Sequence, residues 1–293
     1  MNFVDFGMDT ASLAGRLERK LEVIAATGFS QVMISAADIV GHPQGSAAGA
    51  RVVRDSGLRV TGFEALRDFE GLDDRLHRYK VDVAKSMLAV CCEVGGDLLL
   101  VEATTSTHAA QDVERTASDL HKLAILAIPL GVRIGFKPRL GSRTASDLAT
   151  GAEIVFRADC PNLGLAIDSF DMLVARTPAE DIDALDPQQI LLVQLSDFMW
   201  NAIRSTAEQH ATGTHFRVFP GEGAHSEALA ELVTRIDRIG YRGNYSFDVY
   251  NDDYLQMPAE AVAERARRAS DWLGETVLRR ALPVPNIERM RQG

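Results

Sequence analysis

The stretch Leu163-Gly164-Leu165-Ala166-Ile167-Asp168-Ser169-Phe170-Asp171 predicts a buried strand that ends in two carboxylates three residues apart. An apolar run closed by an acid is typical of parallel α/β folds, because the carboxyl end of each strand opens into a crevice formed by the following loops. We therefore expect Asp168 to face a functional site. Either carboxylate is also able to cap the next helix, and Asp171 is the stronger candidate for capping.

Further apolar runs are spaced along the chain, and each is followed by a segment with helical periodicity. Together they predict eight strands, near residues 3–7, 31–35, 58–64, 97–102, 132–137, 163–168, 190–196 and 244–250. This alternation over 293 residues favours an α/β protein that folds as a single (β/α)8 TIM barrel. We expect the barrel to span residues 1–280 and a polar, proline-containing tail to span residues 281–293.

The composition excludes several classes of partner. The formal net charge of −10 argues against nucleic acid or an anionic membrane surface, because both require clustered Lys and Arg. No stretch approaches the roughly 20 apolar residues of a membrane span, and no basic segment precedes an apolar run at the N-terminus. The three cysteines fit reduced thiols. We therefore expect a cytoplasmic protein with a small-molecule substrate, no nucleic-acid partner and no membrane partner.

Closing the eight units into a barrel brings the strand ends to one face. The side chains there are Glu64, Glu102, Lys137, Asp168, Gln194 and Asp248. Carboxylate and amide oxygens suit Mg²⁺ or Mn²⁺, or Zn²⁺ when nitrogen ligands are added. The ammonium of Lys137 has no lone pair, so it either replaces the charge of a metal or stays clear of one. We expect Glu64 and Glu102 to contact the substrate.

Two other segments are candidates for substrate binding. Residues 67–71 form a charged loop after the third strand, and we expect Arg67 to contact the substrate, although a solvated connection is the alternative. Residues 198–224 lack helical and strand periodicity, which predicts an irregular lid or binding loop. In it, Trp200 is expected to form an apolar wall, and His210 and His215 are either acid–base groups or exposed side chains.

Four motifs together resemble the sugar phosphate isomerase/epimerase superfamily of xylose-isomerase-like TIM barrels. They are Gly164-Leu-Ala-Ile-Asp168-Ser-Phe-Asp171-Met-Leu, Val193-Gln194-Leu-Ser-Asp197, Phe219-Pro-Gly-Glu-Gly223 and Tyr245-Ser-Phe-Asp248-Val-Tyr-Asn251-Asp252. The loop at residues 67–71 and the overall spacing are most similar to the branch that contains 3-dehydroshikimate dehydratases. The resemblance extends from about residue 3 to residue 273.

The resemblance implies a divalent metal at the barrel mouth, held by glutamate, aspartate, histidine or glutamine, and glutamate at the ends of the fifth to eighth strands. Asp168 and Gln194 match the second and third ligands, Asp248 is a shortened fourth, and Lys137 replaces the first. A bound Mn²⁺, Mg²⁺ or Zn²⁺ would therefore use Asp168, Gln194 and Asp248. Lys137 disfavours a metal because it removes a negative charge and adds a positive one.

Lys137 is the decisive residue of this site. We expect its ammonium to be held by Asp168 and Asp248 and to act as an electrophile near a carbonyl or enediolate oxygen. Two alternatives stay open: a lysine with a lowered pKa that acts as base or Schiff-base nucleophile, and a lysine that extends to solvent without a role. The resemblance also implies that Arg217 contacts an anionic or hydroxylated substrate, with Glu222 orienting it.

These features favour an enzyme that isomerises, epimerises or dehydrates a small polyhydroxylated carbonyl compound by proton abstraction next to the carbonyl. The alternative is a catalytically silent barrel that binds a sugar-like or cyclic acid as a sensor or as a subunit of a larger enzyme. The resemblance and the C-terminal extension also suggest a homodimer or a homotetramer.

Overall fold

Eight parallel strands close into a barrel in the computed structural model, which describes residues 4–280. The barrel strands are β1 (Phe6–Asp9), β2 (Gln31–Ser35), β3 (Arg59–Arg67), β4 (Leu98–Glu102), β5 (Arg133–Lys137), β6 (Leu163–Asp168), β7 (Ile190–Leu195) and β10 (Asn244–Phe247). Neighbours follow chain order, and β10 closes the barrel by pairing with β7 and β1. The predicted single TIM barrel is confirmed, while the tail expected at residues 281–293 lies outside the described part of the chain.

Helices cover the outside of the barrel. They are α1 (Leu17–Ala26), α2 (Ala36–Val40), α3 (Ser46–Asp55), α4 (Asp74–Glu93), α5 (Val113–Ala127), α6 (Leu148–Ala158), α7 (Ser169–Ala175), α8 (Ala179–Asp183), α10 (Ser226–Arg238) and α11 (Ala259–Asp271). A π-helical segment, Trp272–Val277, continues α11. Over residues 4–280, no helix combines the length and the apolar character that crossing a membrane requires.

The carboxylate that caps α7 is Asp168. Its Oδ1 accepts a hydrogen bond from the backbone N–H of Phe170 at 3.0 Å, which satisfies one of the free donors at the start of the helix. Capping by Asp171 was the stronger expectation and is wrong, because Asp171 lies inside the first turn of α7. The cap fixes the side chain of Asp168 at the carboxyl end of β6.

The barrel strands are covered on both faces, which explains the continuous apolar run of β6. All six of its residues are buried, from Leu163 to Asp168. A small apolar cluster, separate from the large core between strands and helices, contains Met33, Leu98, Leu100, Ala166 and Leu192. Its size and its position on the strands are those of side chains that fill a barrel interior. The polar strand-end residues lie beyond this apolar cluster.

The segment predicted to be irregular, residues 198–224, contains regular structure. The helix α9 (Thr206–His215) starts after Ser205, whose Oγ accepts from the N–H of Glu208 at 3.1 Å. The short strands β8 (Asp197–Phe198) and β9 (Arg217–Val218) pair in antiparallel fashion. The prediction failed because α9 buries only Thr212 and therefore has no apolar stripe to reveal its period.

Candidate active site

Six polar side chains meet at the carboxyl end of the barrel. Glu102, Lys137 and Asp168 end β4, β5 and β6, and Asp248 directly follows β10. The remaining two lie within strands, Glu64 in β3 and Gln194 in β7, and all six are buried. The structure thus brings together every strand-end residue expected from the sequence.

The ammonium of Lys137 lies at the centre of this group. Its Nζ donates a hydrogen bond to Gln194 Oε1 at 2.9 Å. Three carboxylate oxygens surround it, Glu102 Oε1 at 3.3 Å, Asp168 Oδ2 at 3.5 Å and Asp248 Oδ2 at 3.7 Å. The side chain is 3% exposed, so the interpretation that it extends to solvent is wrong.

The charge of Lys137 is set by two opposing effects. Burial by itself lowers its pKa, but attraction to Glu102, Asp248 and Asp168 outweighs burial and raises the pKa above the ordinary lysine value. Lys137 therefore carries a positive charge at neutral pH. This balance opposes the alternatives in which a neutral amine acts as a base or a nucleophile.

Arg217 is a second buried cation in the same group. Its Nη1 donates to Asp168 Oδ2 at 2.9 Å, to Asp248 Oδ2 at 3.3 Å and to Ser196 Oγ at 3.3 Å. The guanidinium also lies over the ring of Phe170, 4.4 Å from its centroid. Arg217 therefore joins the two carboxylates that also contact Lys137.

Glu102 connects the buried group to the outer wall. Its Oε2 accepts from Arg67 Nε at 2.8 Å and from Arg139 Nη1 at 2.6 Å, while Oε1 faces Lys137. Burial raises its pKa, but the three cations together hold the pKa well below the usual value. Glu102 is therefore an ionised anchor for two arginines that reach the surface.

An open cavity of about 520 Å³ lies over the group. Lys137, Asp168, Arg217 and Asp248 contribute to its wall, together with Arg67, Arg139, Tyr250 and, from α9, His210. The expected lid segment thus contributes to the cavity, but as a helix. The second histidine of that segment, His215, is half exposed and pairs with Asp252.

Two carboxyl groups at the cavity have a pKa near neutrality. Burial and repulsion from Asp168 raise the pKa of Asp171 to about 7. Burial also raises the pKa of Asp248 to about 7, although Lys137 and Arg217 pull it down. Groups that titrate in this range are suited to accept or donate a proton at physiological pH.

Three side chains expected to contact the substrate, those of Glu64, Glu222 and Trp200, do not line the cavity. Glu222 accepts from the hydroxyl of Tyr254 at 2.7 Å and lies 2.9 Å from Arg265 Nε, so it does not orient Arg217. Trp200 is 41% exposed, and its Nε1 donates to Thr212 Oγ1 at 3.0 Å. Neither Glu222 nor Trp200 lines the cavity, because each is held by partners outside it.

Of the predicted loop at residues 67–71, one side chain lines the cavity, that of Arg67 at the end of β3. Phe69 and Glu70 are buried, and Glu70 Oε1 accepts from the backbone N–H of Thr104 at 2.5 Å. Asp68 accepts from the hydroxyl of the same threonine at 2.9 Å. Most of this loop therefore holds β3 against the loop after β4.

Sequence analysis missed Asp9, which ends β1. Its carboxylate, with those of Glu64 and Asp248, forms a buried group in which one oxygen from each residue lies within 4.8 Å of the others. The predicted first strand stopped at Gly7, two residues short of the acid. The signal was nevertheless present, because Phe6-Gly-Met-Asp9 has the same apolar-then-acid pattern as β6.

The metal position implied by the resemblance does not fit a divalent cation in this chain. The ammonium of Lys137 lies among the other three residues of that ring and takes the oxygen of Gln194. Arg217 binds both Asp168 and Asp248. Two fixed positive charges therefore already neutralise the carboxylates that a metal would need.

Comparison with known proteins gives a consistent result. A family model described as a xylose isomerase-like TIM barrel matches residues 21–276. The 3-dehydroshikimate dehydratase of Pseudomonas aeruginosa is 34% identical over 267 residues, 91% of this chain and 41% of that protein. The inosose isomerase of Bacillus subtilis is 23% identical over 220 residues, 73% of this chain and 75% of that protein. The chain thus spans less than half the length of the dehydratase.

Solved structures confirm the fold. A fusion protein of a xylose isomerase-like TIM barrel and 4-hydroxyphenylpyruvate dioxygenase is 29% identical, with a TM-score of 0.87 over 99% of this chain and 45% of that chain. An L-ribulose 3-epimerase is 19% identical, with a TM-score of 0.73 over 94% of this chain and 96% of that chain. The resemblance inferred from the sequence is therefore confirmed.

Glu70 makes the stability of the barrel depend on pH. Burial raises its pKa from 4.5 to about 7, so the folded protein holds a proton that the unfolded chain releases. The free energy of unfolding should therefore fall as pH rises through this window. Each pKa unit corresponds to about 1.4 kcal/mol. The free energy of unfolding of Glu70→Gln, measured relative to that of the wild type, should therefore increase by on the order of 2–3 kcal/mol as the pH is raised from 5 to 8. Urea unfolding measures this difference.

The matched control for that comparison is Glu22→Gln, at an exposed position on α1. It should follow the wild-type pH dependence. A constant difference between wild type and Glu70→Gln across the pH range would contradict the assignment.

Proposed function

Because the chain belongs to the xylose isomerase-like TIM barrel family, we propose that it is an enzyme that isomerises, epimerises or dehydrates a small polyhydroxylated carbonyl compound. Its relatives include a dehydratase and an inosose isomerase. The observation that carries the proposal is the buried ammonium of Lys137, held by three carboxylates beneath an open cavity. The substrate and the choice among the three reactions are part of the proposal.

Lys137 is the electrophile of the proposed reaction. When a proton leaves the carbon next to a carbonyl, negative charge develops on the carbonyl oxygen. A fixed ammonium in a buried site stabilises that charge more strongly than water does, because its position requires no reorganisation. Asp168, which caps α7 and is bound by Arg217, keeps the ammonium in place.

Asp171 is the proposed base. It lines the cavity and, among residues 4–280, has no Lys, Arg or His nitrogen within 4.0 Å of its carboxylate. Its pKa of about 7 allows it to accept a proton at neutral pH and to return it in the next step. Return of the proton to the adjacent carbon, with a proton moved between the two oxygens, gives isomerisation. Return of a proton to the opposite face of the same carbon gives epimerisation, and departure of the hydroxyl on the next carbon as water gives dehydration.

The outer wall favours a substrate that carries a carboxylate. Arg67 and Arg139 share the single carboxylate of Glu102, and both side chains line the cavity. Together with Lys137 they leave an excess of positive charge at this wall, and planar guanidinium groups match the geometry of a carboxylate. Similarity to the dehydratase, whose name refers to 3-dehydroshikimate, supports a cyclic hydroxy acid.

The same lysine favours a second candidate function. A chain that has exchanged a metal ligand for a cation is also suited to bind a sugar-like or cyclic acid without converting it. A panel of sugars and cyclic hydroxy acids, screened by thermal shift and then assayed for turnover, separates the two. Binding without turnover would favour the silent barrel.

The substitution Lys137→Ala should lower kcat by roughly 10²- to 10³-fold, because it removes the group that stabilises the developing oxyanion. The measurement is turnover of a hit from the panel, with circular dichroism to confirm folding. The control is Lys85→Ala, at an exposed position on α4. If the alanine variant unfolds, turnover is measured instead with Lys137→Arg, which keeps the positive charge. Unchanged kcat in a folded variant would remove the lysine from the mechanism.

The substitution Asp171→Asn should lower kcat/KM by about 10²- to 10⁴-fold, because an amide accepts no proton. In the wild type, kcat/KM should rise with pH and level off above about 7, since only the ionised carboxylate is a base. Asp82→Asn, on the exposed face of α4, is the control. A wild-type profile that is flat between pH 5 and 8 would contradict the assignment.

A further inference from the structure

We propose that Asp9, Glu64 and Asp248 form a site for a hard divalent cation, displaced from the position that Lys137 occupies. One carboxylate oxygen from each residue lies within 4.8 Å of one from each of the others. Asp9 ends β1, Glu64 lies within β3 and Asp248 directly follows β10, and the three residues are 0%, 3% and 1% exposed. This proposal goes beyond the proposed function and does not depend on it.

The charge on this group lacks a partner in the described structure. Within residues 4–280, no Lys, Arg or His nitrogen lies within 4.0 Å of a carboxylate oxygen of Asp9 or Glu64. The cations near Asp248 contact its Oδ2. An ionised carboxylate that is buried without a partner costs several kcal/mol, so the group needs a cation or protons.

Two oxygens in the group are unpartnered, which is the separate sign that a ligand completes it. Asp9 Oδ2 and Asp248 Oδ1 are buried and, among residues 4–280, accept no hydrogen bond from a nitrogen or hydroxyl donor, and the carboxyl group of Asp9 pairs with that of Glu64 only by sharing a proton. The other oxygen of Asp9 accepts from the backbone N–H of Ala11 at 2.9 Å, which fixes the side chain. Buried carboxylate oxygens are normally satisfied, so two such atoms in one group point to a missing cation.

Two donors fix the side chain of Glu64. Gln194 Nε2 donates to Glu64 Oε2 at 3.1 Å, and the hydroxyl of Tyr250 donates to Oε1 at 3.4 Å. Because Lys137 takes the oxygen of Gln194, the amide nitrogen is left to face Glu64. Gln194 is therefore a positioning residue for this group and not one of its ligands.

The ligand set selects the class of cation. Three carboxylates without nitrogen or sulfur suit Mg²⁺, Mn²⁺ or Ca²⁺, which bind oxygen at about 2.0–2.6 Å. Ligand oxygens on one such ion stand no more than about 5 Å apart, which agrees with the observed group. Asp248 and Tyr250 also line the open cavity, so an ion has a path from solvent.

Electron paramagnetic resonance of Mn²⁺ tests the site on the full chain after treatment with EDTA and dialysis. We expect one Mn²⁺ per chain. Asp9→Asn, which keeps the oxygen that accepts from Ala11, should weaken binding by roughly 10- to 100-fold. Asp168→Asn removes a carboxylate of the ring around Lys137 and should bind Mn²⁺ nearly as well as wild type. Circular dichroism confirms folding, and Glu64→Gln replaces Asp9→Asn if that variant does not fold.

Two results would overturn the proposal. One is wild-type protein that binds no Mn²⁺ at millimolar concentration, which would mean that protons alone satisfy the three carboxylates. The other is loss of binding in Asp168→Asn with unchanged binding in Asp9→Asn, which would place the metal at the family position. Because the readout is metal binding, its failure is distinguishable from a failure of the proposed reaction.

Discussion

The rest of the site depends on the attraction between the Lys137 ammonium and the carboxylates of Glu102, Asp168 and Asp248. Each of these charges is costly to bury alone, and removing one partner from such a group typically costs about 3–5 kcal/mol. The group is stable because the carboxylates are shared, with Arg217 binding two of them and the surface arginines binding the third. A cation that the chain itself supplies thus lies where the family resemblance implies a metal.

This replacement reorganises the neighbouring residues. An ammonium donates hydrogen bonds and accepts none, so Gln194 must turn its oxygen toward Lys137 and its nitrogen toward Glu64. The amide therefore separates the ammonium of Lys137 from the carboxyl group of Glu64. Under the two proposals, substrate chemistry and cation binding, which one metal would combine, belong to two adjacent groups.

The sequence was sufficient for the barrel and for most of the strand-end residues, because both depend on local patterns. An apolar run closed by a polar residue identifies a strand end wherever it occurs, and parallel closure brings those ends together. That rule brings Lys137, Asp168, Gln194 and Asp248 to one face together with Glu64 and Glu102, and the family resemblance singles out the first four as a ring. The strand-end rule does not predict the contact between Arg217 and Asp168. Arg217 lies in β9, which is outside the barrel, and 49 residues of chain separate it from Asp168.

The failures have physical causes of the same kind. The helix α9 buries a single threonine, so no periodic signal reveals it. Glu70 lies in a charged loop and resembles a surface residue in the sequence. In the structure it is buried, and its carboxyl group accepts a hydrogen bond from the backbone N–H of Thr104. Asp9 was missed because the end of β1 was placed two residues too early. Strand ends and loop side chains are where tertiary contacts, and not local preference, decide the outcome.

The most direct test of the central claim is the charge of Lys137, observed by nuclear magnetic resonance of protein labelled with ¹⁵N at the lysine side chains. Lys137→Arg identifies the signal by its disappearance. A lysine held by three carboxylates should remain an ammonium at pH values above the roughly 10.4 that is usual for lysine. Loss of the proton below that value would contradict the account, because the carboxylates would then not hold the cation on which the site depends.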